Sequence, residues 1–179
     1  MYKIVQINLN HARIAQDLLM QIMEERNLDL AIVAEPNRVP NHPRWSGDAD
    51  GLAAITWTDK RGSPPCRIGG GHGFTAVMWG ETRVVACYIS PNVNRAAFER
   101  YLTNIEEFMR KDGEHPTLIA GDLNARSVAW GDRITNARGE SLIDWLEHMN
   151  LNIANNGNKY TCERWQGGQW WMSPSPPRM

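Results

Sequence analysis

The sequence predicts an α/β sandwich, with two mixed β-sheets packed between helices. Three observations predict it. The chain opens as a strand, an amphipathic helix and a nearly continuous apolar strand, a spacing that reads as a right-handed crossover unit. Its middle holds three short β-branched and aromatic runs, at residues 52–57, 74–79 and 83–89, separated by turn-rich segments in the manner of hairpins. Its second half alternates helix, strand and helix. Crossovers and hairpins within one chain call for mixed sheets layered with helices.

Taken in order, the first strand runs from Tyr2 to Leu9, with Ile4, Val5 and Ile7 as its β-branched bulk. A helix follows over 12–27, with Ile14, Leu18 and Ile22 on one stripe and Leu19 and Met23 beside it. Leu28 to Glu35 is apolar almost throughout, as a strand covered on both faces requires. Pro36 to Gly51 and Asp59 to Gly73 are rich in Pro, Asn and Gly and read as loops, the second containing Gly69-Gly70-Gly71. A helix over 95–110 carries Phe98, Leu102, Ile105 and Met109 at helical spacing, which is plain core packing. A strand over 116–120, a helix over 138–149 burying Leu142, Leu146 and Met149, and a short strand over 151–154 complete the order.

Composition bounds the rest. At 179 residues the chain is long enough for one domain with a full core. Apolar residues make up 42% and charged residues 22%, the balance of a globular protein, and the net charge of −1 announces no bulk affinity for nucleic acid. A local basic face remains compatible with that total. Cys66, Cys87 and Cys162 form an odd set without metal-type spacing, which favours a reducing compartment, and Cys87 reads as a small core residue. No stretch approaches the roughly 18 apolar residues of a membrane span, and the polar N-terminus does not resemble a signal peptide, so the expectation is an intracellular protein. After about residue 164 the sequence changes character. Trp165, Trp170 and Trp171 are followed by a Pro-, Ser- and Arg-containing end, expected to be a disordered or aberrant tail behind a domain at 1–164.

Polar groups at strand ends carry the chemistry. Gly121-Asp122-Leu123-Asn124 follows the apolar run Thr117–Ala120, and side chains two apart on an extended backbone share a side. A carboxylate that can take a proton beside an amide that can donate to an anion suits phosphate-ester chemistry. Asn8 ends the first strand, Glu35 the second, and Tyr88 stands near the end of a third. Ligand sites in layered α/β folds gather at such ends. Each residue also has an ordinary reading, as cap, solvated turn residue or half-buried aromatic. Together they make an oxygen-rich set suited to Mg²⁺ and a phosphate.

Gln6-Ile7-Asn8-Leu9-Asn10, Ala34-Glu35-Pro36, Cys87-Tyr88-Ile89-Ser90-Pro91-Asn92 and Gly121-Asp122-Leu123-Asn124-Ala125 occur in an order that resembles the endonuclease/exonuclease/phosphatase superfamily, with its deoxyribonuclease I-like fold. Asn124 to Asp132 and Thr135-Asn136-Ala137-Arg138-Gly139 are similar, more narrowly, to the endonuclease domain of insect non-LTR retrotransposons, which nicks target DNA to prime reverse transcription. The resemblance runs to about Thr161. It implies Mg²⁺ as cofactor, with Mn²⁺ as a substitute, and Glu35 as main metal carboxylate helped by Asn8. It implies Asp122 as the group that orients and deprotonates the attacking water. Asn124 and Tyr88 would donate to the scissile phosphate as charge builds on it. DNA is the implied partner, a reverse transcriptase the implied neighbour in the parent polyprotein, and the nucleus the implied compartment. Arg126 and Arg133 would reach phosphates. Trp130 would wedge at a base step or lie buried beneath its own loop.

One departure stands out. The resemblance implies a C-terminal Ser-Asp-His motif, and none of His11, His42, His72, His115 or His148 follows Ser-Asp. Although His11 is near Asn8 in sequence, nothing in the sequence marks it as a substitute. The expectation is therefore a fold incomplete at its C-terminus. Three functions compete: a divalent-metal DNA endonuclease, an inactive remnant that retains DNA binding through Arg126, Arg133 and Arg138, and a phosphoesterase of the same superfamily acting on a small substrate.

Overall fold

The computed structural model describes residues 2–154. They fall into two compact units, one made of residues 2–88 with Phe108–Gly121 and the other of Ile89–Glu107 with residues 122–154.

The first unit contains a β-sandwich. Strands β1 (Ile4–Asn8), β2 (Leu30–Ala34), β3 (Trp45–Gly47) and β4 (Ala53–Trp57) form one sheet in the order β1-β2-β4-β3. In it β1 and β2 are parallel, as the crossover through helix α1 (Arg13–Glu25) requires, while β4 runs antiparallel to β2 and β3. Strands β5 (Cys66–Gly71), β6 (Phe74–Trp79), β7 (Thr82–Tyr88) and β8 (Thr117–Asp122) form the second sheet in chain order. β5, β6 and β7 are antiparallel. The bonds Arg83 N to Pro116 O and Ile89 N to Asp122 O advance together along both strands, so β8 lies parallel to β7 and both sheets are mixed.

Strand alternation explains the layers. Leu30, Ile32 and Ala34 point one way with Ala53, Ile55 and Trp57, and meet Val77, Val84, Ala86 and Tyr88 of the second sheet. Ala31 and Val33 point the other way, into a cluster with Leu19 and Met23 of α1. β2 is thus buried on both faces, as its apolar run implies. Each large aliphatic side chain removed from water here contributes about 1.5–3 kcal/mol. Phe74 lies on the face of β6 opposite Val77, and Phe108 covers it edge-on at 5.6 Å between ring centroids.

The structure corrects several expectations. α1 buries Gln16, Leu19 and Met23, whereas Ile14 is 83% and Leu18 51% exposed. Gln16 fixes that rotation: its Oε1 accepts from Arg38 N at 3.2 Å, and its Nε2 donates to Arg38 O at 3.0 Å. β3 and β5 occupy segments expected to be loops. β8 runs on through Asp122 rather than ending at Ala120. Residues 151–154 form no strand. Cys87 is buried as expected; Cys162 and the three C-terminal tryptophans lie outside the described residues.

In the second unit, helix α2 (Arg95–Asp112, of which residues up to 107 belong here) and helix α3 (Ala137–His148) lie side by side. Ser141 Oγ donates to Glu99 Oε1 at 2.9 Å, and the Arg138 guanidinium sits 4.4 Å above the Phe98 ring. Asn136 caps α3, its side chain accepting from Gly139 N at 2.8 Å. Leu142 and Trp145 are buried, while Leu146 and Met149 are only half-buried.

Candidate active site

In the first unit, Glu35 follows the last residue of β2 with a left-handed backbone, φ 47°. That conformation is uncommon for a residue with a side chain, and the surroundings enforce it. Glu35 N donates to Leu52 O at 2.8 Å, and Glu35 O accepts from His11 N at 2.8 Å. The turn aims the carboxylate at Tyr88, whose hydroxyl donates to Glu35 Oε1 at 2.6 Å. Tyr88 reaches it because alternation along β7 puts Val84, Ala86 and Tyr88 on the core-facing side. Asn8 lies opposite Ala34 in the β1–β2 register, and its Oδ1 accepts from Asn10 N at 2.8 Å. That short turn starts a loop in which Asn10 and His11 both have positive φ. The loop swings the His11 ring to Glu35, with Nδ1 3.0 Å from Pro36 O and Nε2 3.6 Å from Glu35 Oε1. His11 is the residue that sequence reasoning missed, since its place depends on two left-handed residues that the sequence does not announce.

Asp122 and Asn124 belong to the second unit. Asp122 is buried at the end of β8. Asn124 has φ 48°, so the backbone between them is not extended and strand alternation does not set their directions. A turn does: Asn124 N donates to Asp122 Oδ1 at 3.1 Å, and Asn124 Nδ2 donates to Ile89 O at 3.1 Å. Ile89 N in turn donates to Asp122 O at 3.1 Å. One amide hydrogen of Asn124 is used in this way, and the amide group carries a second.

Beyond Asn124 the loop is built from its own polar side chains. Arg126 grips Asp132 with Nε and Nη2, each at 2.9 Å. Burial pushes the Asp132 carboxyl up, but the Arg126 guanidinium and the backbone N–H groups of Arg133 and Ile134 outweigh it and hold the group below its ordinary value. The bond to Asp132 raises Arg126 correspondingly. Trp130 is buried, and its Nε1 donates to Ala125 O at 3.1 Å. Arg138 donates to Ser90 O and Leu123 O, at 3.1 and 3.2 Å. Its guanidinium is thus committed to the fold rather than turned to a DNA phosphate. Gly139 allows the first turn of α3 to press on the Arg126 carbonyl.

Residues 82–171, half of the chain, match a family model described as endonuclease-reverse transcriptase. The chain belongs to this family. The structure is similar to that of the endonuclease domain of TRAS1, a telomere-specific non-LTR retrotransposon, with a TM-score of 0.72 and 26% identity over 88% of this chain and 76% of that one. An AP endonuclease from Archaeoglobus fulgidus (TM-score 0.58, 15% identity, 83% of this chain and 71% of that one) shares the fold. So does an endonuclease/exonuclease/phosphatase family protein from Leptotrichia buccalis C-1013-b (TM-score 0.51, 14% identity, 81% of this chain and 73% of that one). No curated protein matches the chain. The endonuclease-reverse transcriptase assignment agrees with the resemblance drawn from the ordered motifs, and the α/β sandwich with the expected deoxyribonuclease I-like fold.

Within this member of the endonuclease-reverse transcriptase family, the structure joins Glu35 to Tyr88 directly, sets Asn8 beside the end of β2, and ties Asp122 to Asn124 by a turn. Of the loop cations, Arg126 is half exposed on its side chain and Arg133 is exposed. The donors suit a hard cation. Mg²⁺ takes one or two carboxylates and fills its remaining positions with water and phosphate. Glu35, 18% exposed on its side chain, with the Asn8 carboxamide beside its strand, offers that kind of open set. Among the described residues no group of three or more His, Cys, Asp or Glu is placed to hold a metal ion, so such a site rests on fewer of these ligands.

Proposed function

We propose that this chain is a Mg²⁺-dependent DNA endonuclease domain that nicks a target strand for retrotransposon insertion. The observation that carries the reading is the Tyr88–Glu35 contact, a 2.6 Å charge-assisted bond built at a strand end in a retrotransposon-endonuclease fold. A carboxylate needs no tyrosine to pack a core, and a phenol that orients it suits a cation site. Glu35 and Asn8 would hold Mg²⁺, which supplies positive charge against the phosphate oxygen on which charge builds. Tyr88 fixes the Glu35 carboxylate with its one hydroxyl hydrogen, and would donate to the phosphate once Mg²⁺ on Glu35 frees that hydrogen. Asp122 takes the proton of the attacking water, its carboxylate steadied by Asn124 N. Asn124 offers its second amide hydrogen to the phosphate, the first holding Ile89 O. Arg126 and Arg133 contact backbone phosphates of the duplex, and a reverse transcriptase accompanies the domain in its parent polypeptide.

The test is relaxation of supercoiled plasmid by the purified chain in Mg²⁺, with EDTA and Asp122→Ala as controls. EDTA should abolish nicking and Asp122→Ala should slow it about 10²–10⁴-fold, below what the plasmid assay detects. Nicking that survives in Asp122→Ala sinks the assignment. A folded chain that binds DNA in a salt-dependent way but never nicks it supports the inactive remnant instead.

A further inference from the structure

His11 has no part in the roles assigned above, yet its ring stands against the Glu35 carboxylate. Its Nδ1 lies 3.0 Å from the Pro36 carbonyl oxygen. A carbonyl oxygen only accepts, so Nδ1 carries the hydrogen and donates it. In the neutral ring Nε2 then holds a lone pair. That atom is 3.6 Å from Glu35 Oε1, too far for a hydrogen bond.

The separation suits something else. Nitrogen and oxygen ligands of a divalent transition metal stand about 2.0–2.2 Å from the ion, hence about 3.0–3.5 Å from each other at ordinary bond angles. The gap between His11 Nε2 and Glu35 Oε1, at 3.6 Å, is just outside the upper end of that range, and a small ring rotation would bring it within. Metal-bound histidines characteristically donate their second ring N–H to a carboxylate or a backbone carbonyl, which fixes the ring and raises its basicity. His11 already has that partner in Pro36. Its backbone is also tied to its neighbour's, since His11 N donates to Glu35 O at 2.8 Å and both residues are left-handed. The ring is 52% exposed on its side chain, so an ion can enter from solvent. Oε1 accepts from Tyr88 as well, and a carboxylate oxygen has lone pairs for both.

We propose that His11 is a nitrogen ligand to the ion that Glu35 holds, and that it biases the site toward a transition-metal ion such as Mn²⁺ over Mg²⁺. This rests on the reading of Glu35 as a metal carboxylate. Mg²⁺ gains little from imidazole, whereas Fe²⁺, Ni²⁺, Cu²⁺ and Zn²⁺ take it readily. Mn²⁺, at the weak end of that order, is the mildest of the transition-metal cases and the one with a paramagnetic readout.

The experiment is pulsed electron paramagnetic resonance of the full chain loaded with Mn²⁺, together with Mn²⁺ and Mg²⁺ titrations by calorimetry. Echo modulation from a directly bound ¹⁴N is expected in the unaltered chain. It should shift to the ¹⁵N frequency when histidine is ¹⁵N-labelled, a result that needs no variant to fold. In His11→Gln, checked for folding by circular dichroism, the nitrogen modulation should vanish. Mn²⁺ affinity should fall about tenfold or more, with Mg²⁺ affinity changing by less than about twofold. Mn²⁺ that binds in a Glu35-dependent way without nitrogen modulation overturns the role of His11 and leaves the metal reading of Glu35 standing. Absence of any Mn²⁺ or Mg²⁺ binding that Glu35→Gln removes overturns both.

Discussion

Replacing Gly139 with alanine asks whether the loop over 124–139 is a built platform or a loose connection. A Cβ at Gly139 would lie 1.9 Å from Arg126 O, where real Cβ contacts essentially never fall below 3.0 Å. The obstacle is backbone, so no rotamer change relieves it, and the start of α3 must retreat by about an ångström. Two bonds cross the gap that would open, and the cap bond of α3 lies beside it. Asn136 N donates to Arg126 O at 3.0 Å, and Asn136 Oδ1 accepts from Arg126 N at 3.2 Å and from Gly139 N at 2.8 Å. At about 1 kcal/mol for each of the two crossing bonds, with about 1–3 kcal/mol for the overlap and about 1 kcal/mol regained from alanine's helix propensity, the net loss is about 2–4 kcal/mol. Gly80→Ala is the comparison. Gly80 has φ 59° and no atom within 4 Å of its Cβ position, so only backbone strain of about 1–2 kcal/mol applies. Urea unfolding followed by tryptophan fluorescence measures both. A Gly139→Ala protein within about 0.5 kcal/mol of the parent, or no worse than Gly80→Ala, would refute the account of the loop.

The same unfolding assay checks α1: Leu19→Ala should cost about 2–5 kcal/mol, whereas Ile14→Ala should fall within about 0.5 kcal/mol of the parent. Equal losses would mean that the buried stripe runs through Ile14 after all. Asp132 gives a pH signature. Its carboxyl is held below the ordinary value of 3.8, so its stabilising effect is complete above that value and is lost as the pH falls through the lower, folded one. Asp132→Asn should therefore unfold more readily than the parent near neutral pH, and the gap should close below the ordinary aspartate value. A gap that widens with acid would show that burial, rather than Arg126, dominates that carboxyl.

Where regular periodicity and burial coincide, the fold was readable from residues alone. β2 reads as a doubly covered strand because Leu30 to Ala34 is apolar at every position, and the bounds of β6 coincide with the run over 74–79. The failures have physical causes. β5 looked like a loop because of Gly69-Gly70-Gly71, yet glycine is there because neighbouring groups take the side-chain space. Phe108 would meet a Cβ at Gly69 at 2.8 Å, and the Phe74 ring one at Gly71 at 2.6 Å. β3 is three residues long, and its pairing with β4 is non-local information. On α1 the apolar residues outnumber the space beneath the helix. The side that faces inward is set by the two bonds of Gln16 to Arg38, a polar contact that a count of apolar residues passes over.

The candidate site divides along the same line. Its residue types were readable because carboxylate, amide and phenol at strand ends have little to do in a core, and Glu35 and Tyr88 do meet. Its geometry was not readable, because it depends on backbone that leaves the strand: Glu35 at φ 47°, Asn124 at 48°, His11 at 57°. None of these residue types demands a left-handed backbone, so no sequence rule turns Asn124 away from strand alternation or brings His11 to Glu35. The motif over 124–139 carries the opposite lesson. Its polar residues resemble a DNA-binding set, yet Asn136, Arg138 and the Asp132 partner of Arg126 are occupied in building the loop. A motif shared with nucleases can therefore report the scaffold that presents a site as well as the groups that act in it. Of its cations, Arg126 and Arg133 face solvent where a phosphate could arrive, whereas the Arg138 side chain is buried between backbone carbonyls and an aromatic ring. Loss of DNA affinity on altering Arg138 would accordingly report a damaged loop, while at Arg126 and Arg133 it would report a lost contact only if the fold survives.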